Sequence, residues 1–433
     1  MPQCGAHYIM HFVVLQSKIF WGAVTRACGR GVSAGWGGEI TPVESGAGRA
    51  HNAGMETRKL FYALAVAMPL VAANSADACT GITLKSDDGG VVVARTIDWS
   101  REEMDNIYVV IPRGYTQTAI LPNNASGGMQ YTAKYGYVGL GMEQAEFIVD
   151  GTNEAGLSAA LFYFPKYGKY KPYDAALAGQ SIGDLQFVSW VLANFATIDE
   201  LRAAMQNIRI INIDSRADTV HWRITDPSGR QVVIEIVDGE VNFYDNPMGV
   251  LTNAPSFPWH RSNLNNYVNL IPGTAGPVDM NGLTLTAFGS GSGFHGLPGD
   301  FTPPSRFVRA AFLESYSLKQ KTAFDSAMQA FHILNNFDVP TGVQFAVGRA
   351  PNNMPSATQW TIATDLKNMV IYYHTMYDRT VRSIDMSAID FGAVAFQTHP
   401  LDANKRPTIM PVQIDYNAPV MVETDVTVTE LME

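Results

Sequence analysis

The tripeptide Ala76-Asp77-Ala78, followed directly by Cys79, decides where the folded part of this 433-residue chain begins. Arg58-Lys59 stands before an apolar run from Leu60 to Ala73, which leads to that A-x-A triplet. A charged head, an apolar middle and a small-residue exit make the pattern of a secretory signal peptide cut after Ala78. The chain that has to fold would then start on Cys79, with a thiol and a free α-amine on the same residue. Met55 opens a signal of ordinary length. Residues 1–54 are rich in Gly and Ala, without sustained periodicity, and are expected to be a mis-assigned start or a disordered extension. The expected organisation is thus an extension at 1–54, a signal peptide at 55–78 and one folded domain at 79–433.

Neither Leu60–Ala73 nor Met10–Val24, which Lys18 interrupts, is long enough to span a bilayer. No Leu stands three residues before Cys79, against a lipoprotein signal. Export without an anchor, to a secreted or periplasmic location, is the expectation. The chain has three cysteines, Cys4, Cys28 and Cys79, and the cut would remove the first two. Thiols in exported proteins usually pair. A lone cysteine at the new N-terminus is therefore read as a nucleophile, set against a buried and inert residue.

Charge argues against nucleic acid. Of 30 Lys/Arg and 40 Asp/Glu, six and four lie in residues 1–78, which leaves 24 and 36 and a formal charge of −12. No basic cluster offers a phosphate footprint. The length after the cut suits one large domain with a substantial core.

Strand signals open the folded part. Gly90–Thr96 is β-branched after an Asp-Asp-Gly-Gly turn, and 106–112 and 146–150 read similarly. Thr219–Ile224, the turn Asp226-Pro227-Ser228-Gly229, Val232–Val237, Asp238-Gly239 and Val241–Tyr244 make a meander. A late hairpin joins 359–364 to 369–374. Helices are expected over 185–195 capped by Asp184, over 201–208 behind a Thr197/Glu200 capping box, over 306–317 behind Ser305, and from Thr322 to about Leu334. Hairpins with helices grouped between them point to an α+β fold of antiparallel sheets covered by helices, not to βαβ units.

A free thiol titrates near 8.5 and an α-amine near 7.7–8.0, so the amine of an N-terminal cysteine can take its own thiol proton. A nearby arginine favours the thiolate, and donors aimed at the carbonyl oxygen stabilise a tetrahedral intermediate. Arg95 and Asp98 lie shortly downstream, with a strand-end salt bridge as the plainer reading.

Cys79-Thr80-Gly81 followed by Arg95-Thr96-Ile97-Asp98-Trp99 resembles the opening of the penicillin V acylase and conjugated bile acid hydrolase family, the choloylglycine hydrolase group of N-terminal nucleophile hydrolases. Four further segments match in order: Asp150-Gly151-Thr152-Asn153-Glu154-Ala155-Gly156-Leu157; His221-Trp222; Thr252-Asn253-Ala254-Pro255; and Leu297-Pro298-Gly299-Asp300 with Ser305-Arg306-Phe307. The resemblance covers residues 79–400. It implies a four-layer αββα sandwich, often a homotetramer, that acts on small N-acyl amides without metal or cofactor. It also implies roles: Cys79 as nucleophile and its amine as base, Arg95 beside the thiolate, Asp98 on the amine, Asn253 at the oxyanion hole or orienting the substrate, and Arg306 completing the polar network. A family position just before Phe-Pro holds Asn or Tyr, here Tyr163, equally readable as core packing. Trp99 is a candidate wall for the acyl group or a core indole.

Tyr163 tilts the expected substrate towards penicillin V. The export signal resembles a Gram-negative branch associated also with long-chain N-acyl homoserine lactones, and so with quorum quenching. The alternative is a conjugated bile acid. Gly179-Gln180-Ser181-Ile182-Gly183 fits a serine nucleophile elbow, but the residues before it make a poor strand. An exported binding protein with an incidental cysteine is a further reading. The histidines are scattered without metal-ligand spacing.

Overall fold

The computed structural model describes residues 78–99, 104–213, 218–344 and 357–414. The extension expected at 1–54 and the signal peptide expected up to Ala78 lie outside the described residues, save the main chain of Ala78 itself.

Two antiparallel sheets form the core. The first runs in the order β1 (Ala78–Lys85), β2 (Val91–Trp99), Ala357–Asp365, Val370–Thr375 and Arg382–Asp385. The second runs Glu240–Asp245, Gln231–Val237, Val220–Thr225, Ser158–Tyr163, Ile148–Asn153, Tyr137–Met142, Asn106–Ile111 and Gln397–Pro400. Among the described residues there are five α-helices: α1 (Phe187–Asn194), α2 (Ile198–Ala204), α3 (Phe257–Asn263), α4 (Pro303–Tyr316) and α5 (Ala323–Leu334). Helices α4 and α5 cover the first sheet and α1 packs on the second, which gives helix, sheet, sheet, helix. The fold is the α+β sandwich expected. Strand Ala357–Asp365 is buried throughout and β2 almost so, because each is covered on both faces. That is why neither reads as a clean polar–apolar alternation.

Strand periodicity then sorts the side chains of β1 and β2. Facing residues of an antiparallel pair share a side, and the side alternates along the strand. Cys79 pairs with Ile97 and Gly81 with Arg95, while Thr80 pairs with Thr96. The Cys79, Gly81, Arg95 row faces the second sheet: Arg95 donates to the Leu161 carbonyl and, at 3.3 Å, to that of Val149. The Thr80, Thr96, Asp98 row faces the helices: Arg306 of α4 donates to Thr80 Oγ1 at 3.0 Å.

A second arginine crosses the gap the other way. Arg223 of the second sheet donates to the carbonyls of Ile82 at 3.1 Å and Ala94 at 3.2 Å. Its Nη2 lies 3.7 Å from Asp150, with Ala160 between them across the strands. A Cβ on Gly81 would sit 2.8 Å from Arg223 Nη1 and 2.8 Å from the Phe162 ring, so only glycine fits there.

Most expected elements are present, with three helix starts moved, α2 opening at Ile198 directly behind Thr197 rather than at Leu201. Helix α4 begins at Pro303 behind Thr302, since proline at the first helical positions forfeits no hydrogen bond; Ser305 lies inside it and donates to Asp300 at 2.6 Å. Asp184 opens a 3₁₀ turn rather than capping α1, and its carboxylate accepts from the Leu185 N–H. Thr197 and Thr322 cap α2 and α5 as expected.

Burial pushes the Asp150 carboxyl up to about 6, with Arg223 and Arg95 pulling it back. An ion pair of this kind adds little net stability, yet removing one partner strands the other. Asp150→Ala should therefore lower unfolding stability by about 3 kcal/mol or more, read as a fall in the urea midpoint at pH 7.5. A midpoint equal to the parent's would refute this.

Candidate active site

Cys79 stands at the start of β1, buried, on the row that carries Arg95. Burial pushes its thiol up. Arg95 pulls it down, the Asp98 charge pushes it up, and the Asp98 backbone N–H and Arg306 pull it down. The thiol is thus held protonated by desolvation inside a frame of cations that favours the thiolate. Arg95 is fixed by Nε to the Thr96 carbonyl at 3.1 Å, by the carbonyls of the second sheet, and by the Phe162 ring 4.1 Å from its guanidinium carbon.

Asp98 sits on the opposite face of β2. Thr358 Oγ1 donates to one of its oxygens and Thr96 Oγ1 to the other at 3.4 Å. Burial pushes this carboxyl up to about 6, against the pull of Arg306, Thr358, Arg95 and Thr96. Thr358 reaches Asp98 from the neighbouring strand, 260 residues on, and nothing in its local sequence marked it.

Asn253 is the hub. Its Oδ1 accepts from the Cys79 nitrogen at 2.8 Å and from Arg306 Nη2 at 2.7 Å; its Nδ2 donates to the Tyr163 carbonyl at 2.8 Å. Two donors on one oxygen fix which way the amide points. Arg306 also donates to the Cys79 carbonyl and, through Nε, to the Phe301 carbonyl at 2.9 Å. The main chain of Cys79 is therefore gripped at both ends, nitrogen by Asn253 and carbonyl by Arg306. Burial pushes Arg306 down to about 10, still cationic at neutral pH, with Asp98 the chief opposing charge.

The structure brings together Cys79, Arg95, Asp98, Asn253 and Arg306. With Ala78 still attached, the Cys79 nitrogen is held by Asn253, while the Asp98 oxygens are taken up by two hydroxyls. Tyr163 joins the cluster through its carbonyl. Its phenol donates to Asp218 at 2.8 Å, and its ring meets Trp99 edge-on, with centroids 6.4 Å apart. Trp99 closes β2 half-buried. Ser181 is no elbow: it follows a 3₁₀ turn, not a strand, and its hydroxyl is bound to the Leu177 carbonyl at 2.8 Å. Among the described residues no three His, Cys, Asp or Glu side chains converge as a metal site would need. A groove of about 660 Å³ lined by Thr83, Lys85 and Glu314 lies at the far end of β1 and takes no part in the cluster.

Comparison with known proteins begins on the same cysteine. The family described as linear amide C–N hydrolases, choloylglycine hydrolase family, matches residues 79–401. A bile salt hydrolase/transferase from Clostridium perfringens is 35% identical over 316 residues, covering 71% of this chain and 92% of that one. A penicillin V acylase from Pectobacterium atrosepticum is 26% identical over 325 residues, covering 69% and 78%. The crystal structure of a mutant conjugated bile acid hydrolase from Clostridium perfringens superposes with a TM-score of 0.67 at 33% identity, covering 77% of this chain and all of that one.

The charges around Cys79 give a directional test. Arg95→Gln removes a cation that lowers the thiol, so the pH midpoint of Cys79 alkylation by iodoacetamide should rise. Asp98→Asn removes an anion that raises it, so the midpoint should fall. Shifts of the same sign in both variants would contradict the assignment.

Proposed function

The chain belongs to the choloylglycine hydrolase family of linear amide C–N hydrolases, and from that premise we propose that it hydrolyses conjugated bile acids through Cys79 once the Ala78–Cys79 peptide is cut. The observation that carries this is the two-ended grip on the Cys79 main chain by Asn253 and Arg306, with Arg95 beside the thiol row. Such a grip holds a chain end in place after the preceding residue has gone.

The freed amine, ordinarily titrating near 7.7–8.0, takes the thiol proton. The thiolate attacks the substrate carbonyl while Arg95 offsets its charge. The Asn253 amide has two N–H bonds and gives one to Tyr163. The second is free to meet the oxyanion. Collapse expels the substrate's amine, which leaves with the proton from the α-ammonium. Water then attacks the acyl-thioester, giving its proton to the α-amine, and the thiol and the carboxylic acid are restored. Each step uses groups of this chain and asks for no cofactor. In this reading residues 55–78 are a signal peptide, the active chain runs 79–433 in the periplasm or outside the cell, and the enzyme assembles as a homotetramer.

The substrate preference turns on the relatives. The one at 35% identity and almost full coverage is a bile salt hydrolase, and the penicillin V acylase lies further off at 26%. That weighs against the penicillin V and N-acyl homoserine lactone preference drawn from Tyr163. One observation favours penicillin V as a second reading: Tyr163 itself, with its ring set against Trp99. An aromatic pair of that kind suits a flat phenoxyacetyl group.

Glycocholate, penicillin V and a long-chain N-acyl homoserine lactone, assayed side by side, decide between them. Glycocholate should have the highest kcat/KM, and Cys79→Ala should reduce all turnover to background with the circular dichroism spectrum unchanged. Faster cleavage of penicillin V sinks the bile acid assignment; residual activity in Cys79→Ala sinks the mechanism.

A further inference from the structure

Two histidines that no step above employs touch the segment carrying Asn253. His221 Nε2 lies 3.0 Å from the Thr252 carbonyl oxygen, and His260 Nε2 lies 2.9 Å from the carbonyl oxygen of Asn253 itself. A carbonyl can only accept, so both Nε2 atoms carry the hydrogen. The other nitrogen of His221 is 3.1 Å from Glu235 Oε1, and the same oxygen accepts the Phe257 N–H at 2.8 Å. One carboxylate thereby fixes the His221 ring and the first residue of α3.

The rings are fixed as firmly as their nitrogens. His221 stacks on Phe164 with centroids 4.4 Å apart and planes 9° apart, and His260 stacks on Phe307 at 4.6 Å and 14°. Phe164 follows Tyr163, whose carbonyl accepts from Asn253. Phe307 follows Arg306, which donates to the Asn253 oxygen. Each histidine therefore ties the Asn253 segment to one of its two partners in the cluster. Both rings are fully buried. Burial pushes His260 down to about 4, so its ring stays neutral at working pH.

The need for such donors follows from topology. The 249–256 segment lies outside the strand ladders; among the described residues its one backbone bridge to β1 joins Gly81 with Leu251, and side-chain bonds join Thr83 to the Gly249 carbonyl and the Cys79 N–H to Asn253. Among the described residues no strand N–H reaches the Thr252 or Asn253 carbonyl, and a buried carbonyl without a donor is costly.

We infer that His221 and His260 are positioning residues that clamp the Thr252–Asn253 main chain, so that the Asn253 amide presents Oδ1 to the Cys79 nitrogen and Nδ2 towards the substrate carbonyl. The inference rests on the linear-amide reading of Asn253 but not on which amide is cleaved. A misplacement of about 1 Å at such a group can cost on the order of 100-fold in rate.

His260→Phe keeps a ring against Phe307 and removes the donor; His260→Gln restores an N–H. The assay uses whichever of the three amides the parent cleaves fastest, and kcat is counted per alkylatable Cys79. In His260→Phe, kcat should fall about 10- to 100-fold with KM within about threefold, and His260→Gln should recover about tenfold of that loss. Hydrogen exchange of a peptide spanning 250–256 should be faster in His260→Phe, which tests the clamp even if the parent cleaves none of the three. An unchanged kcat per site, a loss confined to KM, no recovery in His260→Gln, or unchanged exchange would each overturn it. Should His260→Phe fail to fold, His260→Gln decides alone: kcat per site within about tenfold of the parent upholds the clamp, and a larger loss ends it.

Discussion

Three guanidinium groups, those of Arg95, Arg223 and Arg306, lie almost wholly out of solvent in the layers of this sandwich. A buried cation without partners is far too costly to persist. Each is therefore held by main-chain carbonyls: Arg95 by Leu161 and Val149 and Arg223 by Ile82 and Ala94, across the gap between the sheets, and Arg306 by Cys79 of β1 and by Phe301 just ahead of its own helix. These contacts pin the first sheet to the second and α4 to β1. They also force a small residue opposite: Gly81 stands where a Cβ would press on Arg223. The polar core is thus part of what sets the spacing of the layers.

The same arrangement governs the thiol. Desolvation alone would leave Cys79 a poor nucleophile, and the cations around it work against that. In the proposed mechanism, what the uncut chain lacks is a base. The Cys79 nitrogen is an amide while Ala78 is attached, and its N–H is given to Asn253. Under the proposed cut, this hydrogen-bond donor would become a proton acceptor, and the groups that hold it already stand in place in the uncut chain.

Much of the fold was legible because it is local. The turn at Asp226–Gly229 is closed by the Gly229 N–H on the Asp226 carbonyl, with Gly229 at φ 78°, as Asp-Pro-Ser-Gly suggests. Thr197 and Thr322 cap helices whose first turns announce them. Where two local signals competed, the reading slipped. Ser305 looked like a cap, but two prolines before it make better helix openers. Asp184 looked like a cap as well, and its burial, which pushes its carboxyl up to about 7, belongs to packing that no window of sequence contains. Of the site, Cys79, Arg95 and Asp98 stand close together in the chain. Asn253 and Arg306 were reachable only through a family likeness, since they lie 174 and 227 residues from Cys79. Thr358 and His260 were not read as site residues at all.

By itself the sequence pointed to Cys79 as the candidate nucleophile, and to the cation and the anion that stand close to it in the chain. Period-two geometry puts Arg95 and Asp98 on opposite faces of β2, and the register of β1 on β2 puts Cys79 on the Arg95 face. Tertiary structure decided what those faces meet. It set a loop far along the chain against the Cys79 nitrogen and turned the Tyr163 phenol to Asp218 while lending its carbonyl to Asn253. Hydrogen bonds between distant segments depend on how whole layers stack, and stacking is settled by the summed burial of side chains, which no single motif carries.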